Sequence, residues 1–171
     1  MSVKPAVRLE PWGPRDLPLL EKLNAPEMTR DLGGPERPEK LADRQRRYEQ
    51  MPADRGRVFK VVEDAAGEAL GQVAYWDRAW REQEVFEIGW AVLPAFQRRG
   101  IARAAVSQAL DRARADGRHR FVHAFPSVDN APSNALCRSL GFQLLGEGDF
   151  EYPKGSFIRC NDWRLDLTVK A

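Results

Sequence analysis

Apolar and polar positions alternate loosely through "VKPAVRLEPW" (3–12), which predicts a first strand. In "GPRDLPLLEKLN" (13–24), Leu17, Leu20 and Leu23 recur at a spacing of three and predict a short helix. Residues 31–56 are strongly polar, with a thin apolar stripe of Leu41, Tyr48 and Met51. That pattern predicts an exposed helix bounded by glycine and proline loops. "RVFKVVEDAAGEALGQVAYWDRAW" (57–80) divides into two strands around the turn "EDAAGE", and "EVFEIGWAVL" (84–93) supplies a third strand of the same meander. After a glycine turn, Ile101, Ala102, Ala105, Val106, Ala109, Leu110 and Ala113 line one face of a helix over 100–115, which Gly117 stops. "RFVHAF" (120–125) is a short strand. "DNAPSNALCRSLGF" (129–142) is a helix with Asp129 or Asn130 as cap, Pro132 in the first turn and Gly141 at the stop. "FQLLGEGDFEY" and "SFIRCNDWRLDLTV" close the chain as two strands around "PKG". This order predicts an α+β fold. Its mixed, mostly antiparallel sheet has about seven strands and about four flanking helices, with one parallel crossover between residues 93 and 120.

Composition narrows the class. A chain of 171 residues is long enough for one well-packed domain or at most two small ones, and a single domain over 1–171 is the expectation. A net charge of +2 is too small for a general nucleic-acid binder, which displaces counterions with a surplus of cations. Arginine is dense only locally, in "QRRGIAR" and "DRARADGRHR". Cys137 and Cys160 imply no disulfide framework, and with His119 and His123 they form no zinc spacing, so no metal is expected. The charged N-terminus does not read as a signal peptide, and no apolar run reaches membrane-spanning length. A cytoplasmic protein with no membrane or nucleic-acid partner is the expectation.

The join "QRRGIA" lies where a helix N-terminus should point at the edge of the sheet. Free N–H groups there attract phosphate oxygens, and Gly100 lets the backbone approach closely. The pattern is neither a Walker loop nor GxGxxG. Local chemistry alone leaves pyrophosphate binding and an ordinary helix entry both open.

"LPAFQRRGIA" resembles the acyl-CoA signature of the GNAT superfamily of N-acetyltransferases, Q/R-x-x-G-x-G/A, carried here by Gln97, Arg98, Arg99, Gly100, Ile101 and Ala102. In order around it stand "FEIGW", "RFVHAF" and "NAPSNALCRSLGF". The resemblance covers residues 57–168, and the N-terminal third by topology. It looks closest to the branch that acetylates ribosomal-protein N-termini and small amines. It implies a strand and acceptor-side helices over 1–56 and an acyl-CoA-binding core over 57–168, with a splayed parallel strand pair. It further implies that the amides of Gln97 to Ala102, with Arg103, hold the pyrophosphate of acetyl-CoA. Ala91, Val92 and Leu93 would pair with the pantetheine arm. Asn130 matches an asparagine that contacts the pantetheine region, and Asn134 is a second contact. A monomer or a homodimer fits the superfamily.

Acetyl transfer to an amine needs a base for the amine, a donor for the oxyanion and an outlet for the thiolate. Glu87, in "FEIGW", is the candidate base; a sheet-surface glutamate paired with an arginine is the other reading, and Glu84 is a weaker candidate base. A backbone N–H near Val92 would donate to the oxyanion. Many relatives carry a tyrosine four residues before the Leu-Gly-Phe glycine, where this chain has Cys137. A thiol could donate there, a packed cysteine is the plainer reading, and Ser139 or water are other sources of the proton. The acceptor, a small-molecule or peptide amine, is expected to meet residues 26–56, Tyr75, Trp76 and Trp80, and the "EYPKGSF" turn, with Trp76 and Trp80 in an exposed charged loop. Trp12, Trp90 and Trp163 read as core, His119 and His123 as structural or solvent-facing. The alternative function is a non-catalytic acyl-CoA-binding module of the same fold.

Overall fold

The computed structural model describes residues 4–152 and 154–169; Val3 of the predicted first strand, and Pro153 of the "PKG" turn, lie outside them. Seven strands form one sheet in the order β1-β2-β3-β4-β5-β7-β6. They are β1 Val7–Pro11, β2 Gly56–Glu63, β3 Ala69–Trp80, β4 Gln83–Val92, β5 Phe121–Ala124, β6 Gln143–Glu151 and β7 Phe157–Asp166. All neighbours are antiparallel except β4 and β5. The helices are α1 Leu17–Leu23, α2 Pro26–Thr29, α3 Pro38–Glu49, α4 Ile101–Asp116 and α5 Ala131–Ser139. One more helix stands here than the sequence pattern predicts: α2 is a single turn opened by Pro26, too short to leave an apolar period.

Alternation along the strands sorts the side chains onto two faces. One face packs Phe59, Val73, Tyr75, Phe86, Ile88, Val122 and Trp163 against the apolar stripe of α4 and against Cys137 of α5. The other face packs Val58 and Ala74 against Trp12, Leu19, Leu20 and Leu41, from α1, α3 and the chain before them. Glu87 belongs to this second face, because its cross-strand partner is Trp76.

The segment "YWDRAWREQE" is not a loop. β3 and β4 run on to a two-residue connection, Arg81-Glu82, with both φ angles positive (47° and 64°). That is the primed hairpin geometry, which usually announces itself by Asn-Gly or Asp-Gly. Arg and Glu there hide the turn from the sequence. Tyr75, expected at the acceptor, points to the α4 side instead, where it is 1% exposed and donates to Asp116 at 3.3 Å. Among the described residues no helix is long and apolar enough to cross a membrane.

Candidate active site

The parallel pair parts just beyond the candidate base. β5 pairs with β4 only at Phe86↔Val122 and Glu87↔His123. β4 continues to Val92 with β3 alone as its neighbour. The edge of β4 from Ile88 to Val92 is thus free on the β5 side, and an extended chain could add to it by backbone pairing. Ala91 is half-buried, while Val92 and Leu93 are buried. The Leu93 N–H is committed to Leu70 O at 2.9 Å.

The turn that follows is built to leave amides open. Arg98 has φ 63° and Gly100 has φ 75°, ψ 8°, so Gly100 caps α4 in the left-handed region with no side chain capping the helix. Each N–H from Arg98 to Arg103 lacks a hydrogen bond among the described residues; the first helical bond is Ala104 N–H to Gly100 O at 3.1 Å. Successive unpaired N–H groups at the positive end of a 16-residue helix form a cradle for an anion. Gln97 plays a different part from the others: its Nε2 donates to Val92 O at 2.9 Å and pins the turn to the strand end. Arg98 and Arg99 are exposed, Ile101 is buried and Ala102 half-buried. Arg103 reaches across to α5, with Nη1 donating to Ser139 Oγ at 2.6 Å.

On α5 the two asparagines divide their work. Asn130 is the helix cap, its Oδ1 accepting from Ser133 N–H at 3.2 Å. Asn134 is 9% exposed and fully engaged: Nδ2 donates to Ser127 O and Asn130 O, and Oδ1 accepts from Asn161 and the Trp163 indole. An amide with all four positions filled has nothing left to offer a ligand. The geometry therefore favours a structural lock between α5 and β7 over a side-chain contact from Asn134 to the pantetheine arm. For Cys137 the geometry favours the packed reading over the thiol acid: it is 0% exposed in the core, and burial pushes its thiol up to about 12.

Glu87 combines both readings its position allows. Arg78 Nη1 lies 2.6 Å from Glu87 Oε2, so it is a paired glutamate. Its side chain is only 16% exposed. Burial is the largest influence and raises the carboxyl above its ordinary range, against the lowering pull of Arg78, the Trp76 indole and His123. Gly89 makes room for that indole: a Cβ there would stand 3.3 Å from the Trp76 ring. Trp76 and Trp80 are half-buried strand residues, not loop residues.

Around Glu87 stand groups the sequence does not single out. The Arg78 guanidinium lies over the rings of Trp80, Phe125 and Phe150, 5.2, 4.9 and 5.6 Å from their centroids. His123, in register with Glu87, is 3% exposed and holds Asp162 Oδ1 at 2.6 Å. The Trp80 indole donates to Asp162 Oδ2 at 3.0 Å. Period-two alternation puts residues 76, 78 and 80 on one face, but only the strand register brings β5, β6 and β7 beside them. At the rim, the Tyr152 hydroxyl accepts from Arg44 and donates to Glu36 Oε1 at 3.1 Å, so the end of the β6–β7 hairpin is tied to α3. No group of three or more His, Cys, Asp or Glu side chains among the described residues could hold a metal ion.

Comparison with known proteins agrees with this geometry. Residues 6–143 match the model of the acetyltransferase (GNAT) domain family. Two curated relatives, L-methionine sulfoximine/L-methionine sulfone acetyltransferases of Pseudomonas paraeruginosa and Pseudomonas aeruginosa, are each 37% identical over 116 residues, 66% of this chain. The match spans 65% of their own length. Among solved structures, the spermidine N-acetyltransferase of Vibrio cholerae, determined with CoA and spermine, superposes with a TM-score of 0.77 at 18% identity, over 95% of this chain and 96% of that one. A GNAT-family acetyltransferase of Bacillus anthracis superposes with a TM-score of 0.76 at 16% identity, over 99% and 100%. With its single seven-stranded domain, parted β4–β5 pair and matching family model, the chain belongs to the GNAT acetyltransferase family.

Proposed function

We propose that this protein is a cytoplasmic N-acetyltransferase that moves an acetyl group from acetyl-CoA directly to the amine of a small molecule. The observation that carries the reading is the alignment of three features along one line: the open amides from Arg98 to Arg103, the unpaired edge of β4 from Ile88 to Val92, and Glu87 where the edge begins. The cradle fits a pyrophosphate and the free edge fits an amide-bearing arm. Acetyl-CoA supplies the acetyl group as a thioester. Glu87, a buried carboxylate with a raised pKa, takes the proton the amine must lose. A backbone N–H near Val92 steadies the oxyanion, and the thiolate leaves without a dedicated side-chain acid, since Cys137 is sealed in the core.

Two facts favour a small amine over a protein N-terminus. The Glu36–Arg44–Tyr152 contact closes the hairpin onto α3, where a peptide would need an open groove. The curated relatives are named for amino-acid analogues. The test is release of free CoA from acetyl-CoA with a panel of amines that includes L-methionine sulfone, spermidine and an N-terminal peptide. CoA release with a small amine is expected. Acetyl-CoA binding without release for any amine would instead establish a non-catalytic acyl-CoA-binding module.

A further inference from the structure

Asp162 and His123 form a buried, hydrogen-bonded polar pair on the face that carries Glu87. Asp162 is 1% exposed and His123 3% exposed, and a charged carboxylate at such a place costs stability unless fully bonded. Burial works against the Asp162 charge, but hydrogen bonds from His123 and the Trp80 indole outweigh it and hold the carboxyl below its ordinary range. An ionised Asp162 only accepts, so His123 Nδ1 carries the proton of that bond. The imidazole is thereby fixed in one tautomer, with the Nε2 lone pair free. Nε2 has no hydrogen-bond partner among the described residues and is not one of the nitrogens sealed from water without one. Phe125 stacks on the ring at 5.7 Å and 19°. His123 sits in register with Glu87 on the adjacent parallel strand, on the same face. The other charged or titratable groups around the pair are Arg78 on β3, Arg81 in the hairpin turn, Asp149 on β6, and Cys160 and Arg164 on β7.

We infer that Asp162 and His123 form a proton-positioning pair for Glu87, in which His123 Nε2 takes the proton Glu87 has received and passes it to water. The inference rests on Glu87 being the base. The sequence of bonds is balanced. An N–H bond of the acceptor ammonium breaks as an O–H bond forms on Glu87. That O–H breaks as Nε2–H forms, and the imidazolium gives its proton to solvent. No electrons change hands. Asp162 stays ionised throughout and steadies the imidazolium. His123 acts through Glu87 and is a positioning residue, and Trp80 holds the second oxygen of Asp162 in place.

Kinetics supply one test. His123→Gln should lower kcat about tenfold or more while KM for acetyl-CoA stays within about twofold. An unchanged kcat would overturn the inference. Because a buried substitution can fail to fold, a second test uses the intact site and no turnover. The chain has two histidines, so nitrogen-15 spectra resolve both imidazoles. His123 should show the Nδ1–H tautomer, and Glu87→Gln should shift the His123 Nε2 signal while leaving His119 in place. An Nε2–H tautomer, or a His123 signal blind to Glu87→Gln, would overturn it. These spectra read the coupling even if no acceptor is ever acetylated, so a failed function and a failed coupling are told apart.

Discussion

Arg78 and Glu87 face each other across the β3–β4 hairpin at 2.6 Å, and the same guanidinium rests on three aromatic rings. The pair therefore does two jobs. It compensates a carboxylate that is largely out of water, and it anchors that carboxylate where the parallel strands part. A base needs such a place: buried enough to hold a proton, yet charged when the amine arrives. Glu87→Gln keeps the shape and removes the proton acceptor. Turnover at neutral pH should fall about 10²-fold or more, with acetyl-CoA affinity nearly intact. Steady-state kinetics beside calorimetry check this, and an unchanged turnover removes Glu87 as base.

The pH dependence follows from the direction of the Glu87 shift. Burial raises its carboxyl, Arg78 lowers it, and burial prevails. As the proposed base Glu87 must be deprotonated, so kcat/KM should fall as pH drops through the raised value, above the range of an ordinary glutamate. Arg78→Gln removes the lowering influence and should move this acidic limb to higher pH. A limb that stays in place would show that Arg78 does not govern the ionisation of Glu87.

Cys137 tests the thiolate side. It stands where many relatives carry a tyrosine, but it is closed into the core, with its thiol pushed up to about 12. Cys137→Ala should cost about 1–2 kcal/mol of stability through the small cavity it leaves. The pH profile of turnover should not change. A change in the basic limb would restore the thiol as a proton donor.

Asn134 separates structure from binding. Its side chain links Ser127, Asn130, Asn161 and Trp163. Asn134→Ala strands buried partners and should cost about 2–4 kcal/mol, read as a lower Tm. Acetyl-CoA affinity of the folded fraction should stay near that of the unsubstituted protein.

The sequence exposes those parts of the molecule that local rules control. "QRRGIA" between a strand and an amphipathic helix is such a part, because a glycine at a helix entry has few structural meanings. The meander, α4, β5 and α5 follow from period and capping. Asn130, Pro132 and Gly141 bracket α5 as the residues themselves suggest, although α5 itself ends at Ser139 with Leu140 as its C-cap. What stays hidden depends on register between distant strands. Trp80, Phe150 and Asp162 lie on three strands and Phe125 just past the end of β5, and no spacing along the chain announces that they share one face. His123 looks structural by itself, and only the strand register sets it beside Glu87 and Asp162. The Arg81-Glu82 turn hides for another reason: residues that resist positive φ are forced into it by the pairing of two long strands.

The central claim is that the open amides between Arg98 and Arg103 hold the pyrophosphate of acetyl-CoA. Gly100, at φ 75°, holds a backbone conformation that side-chain-bearing residues rarely adopt, and Gly100→Glu also brings a negative charge to the cradle. The most direct measurement is calorimetric titration of the protein and of this variant with acetyl-CoA. The expected result is saturable binding by the unsubstituted protein, with affinity reduced about 10²-fold or more in a variant that retains its fold by circular dichroism. Equal affinity in the two proteins, or no binding by the unsubstituted one, would contradict the claim.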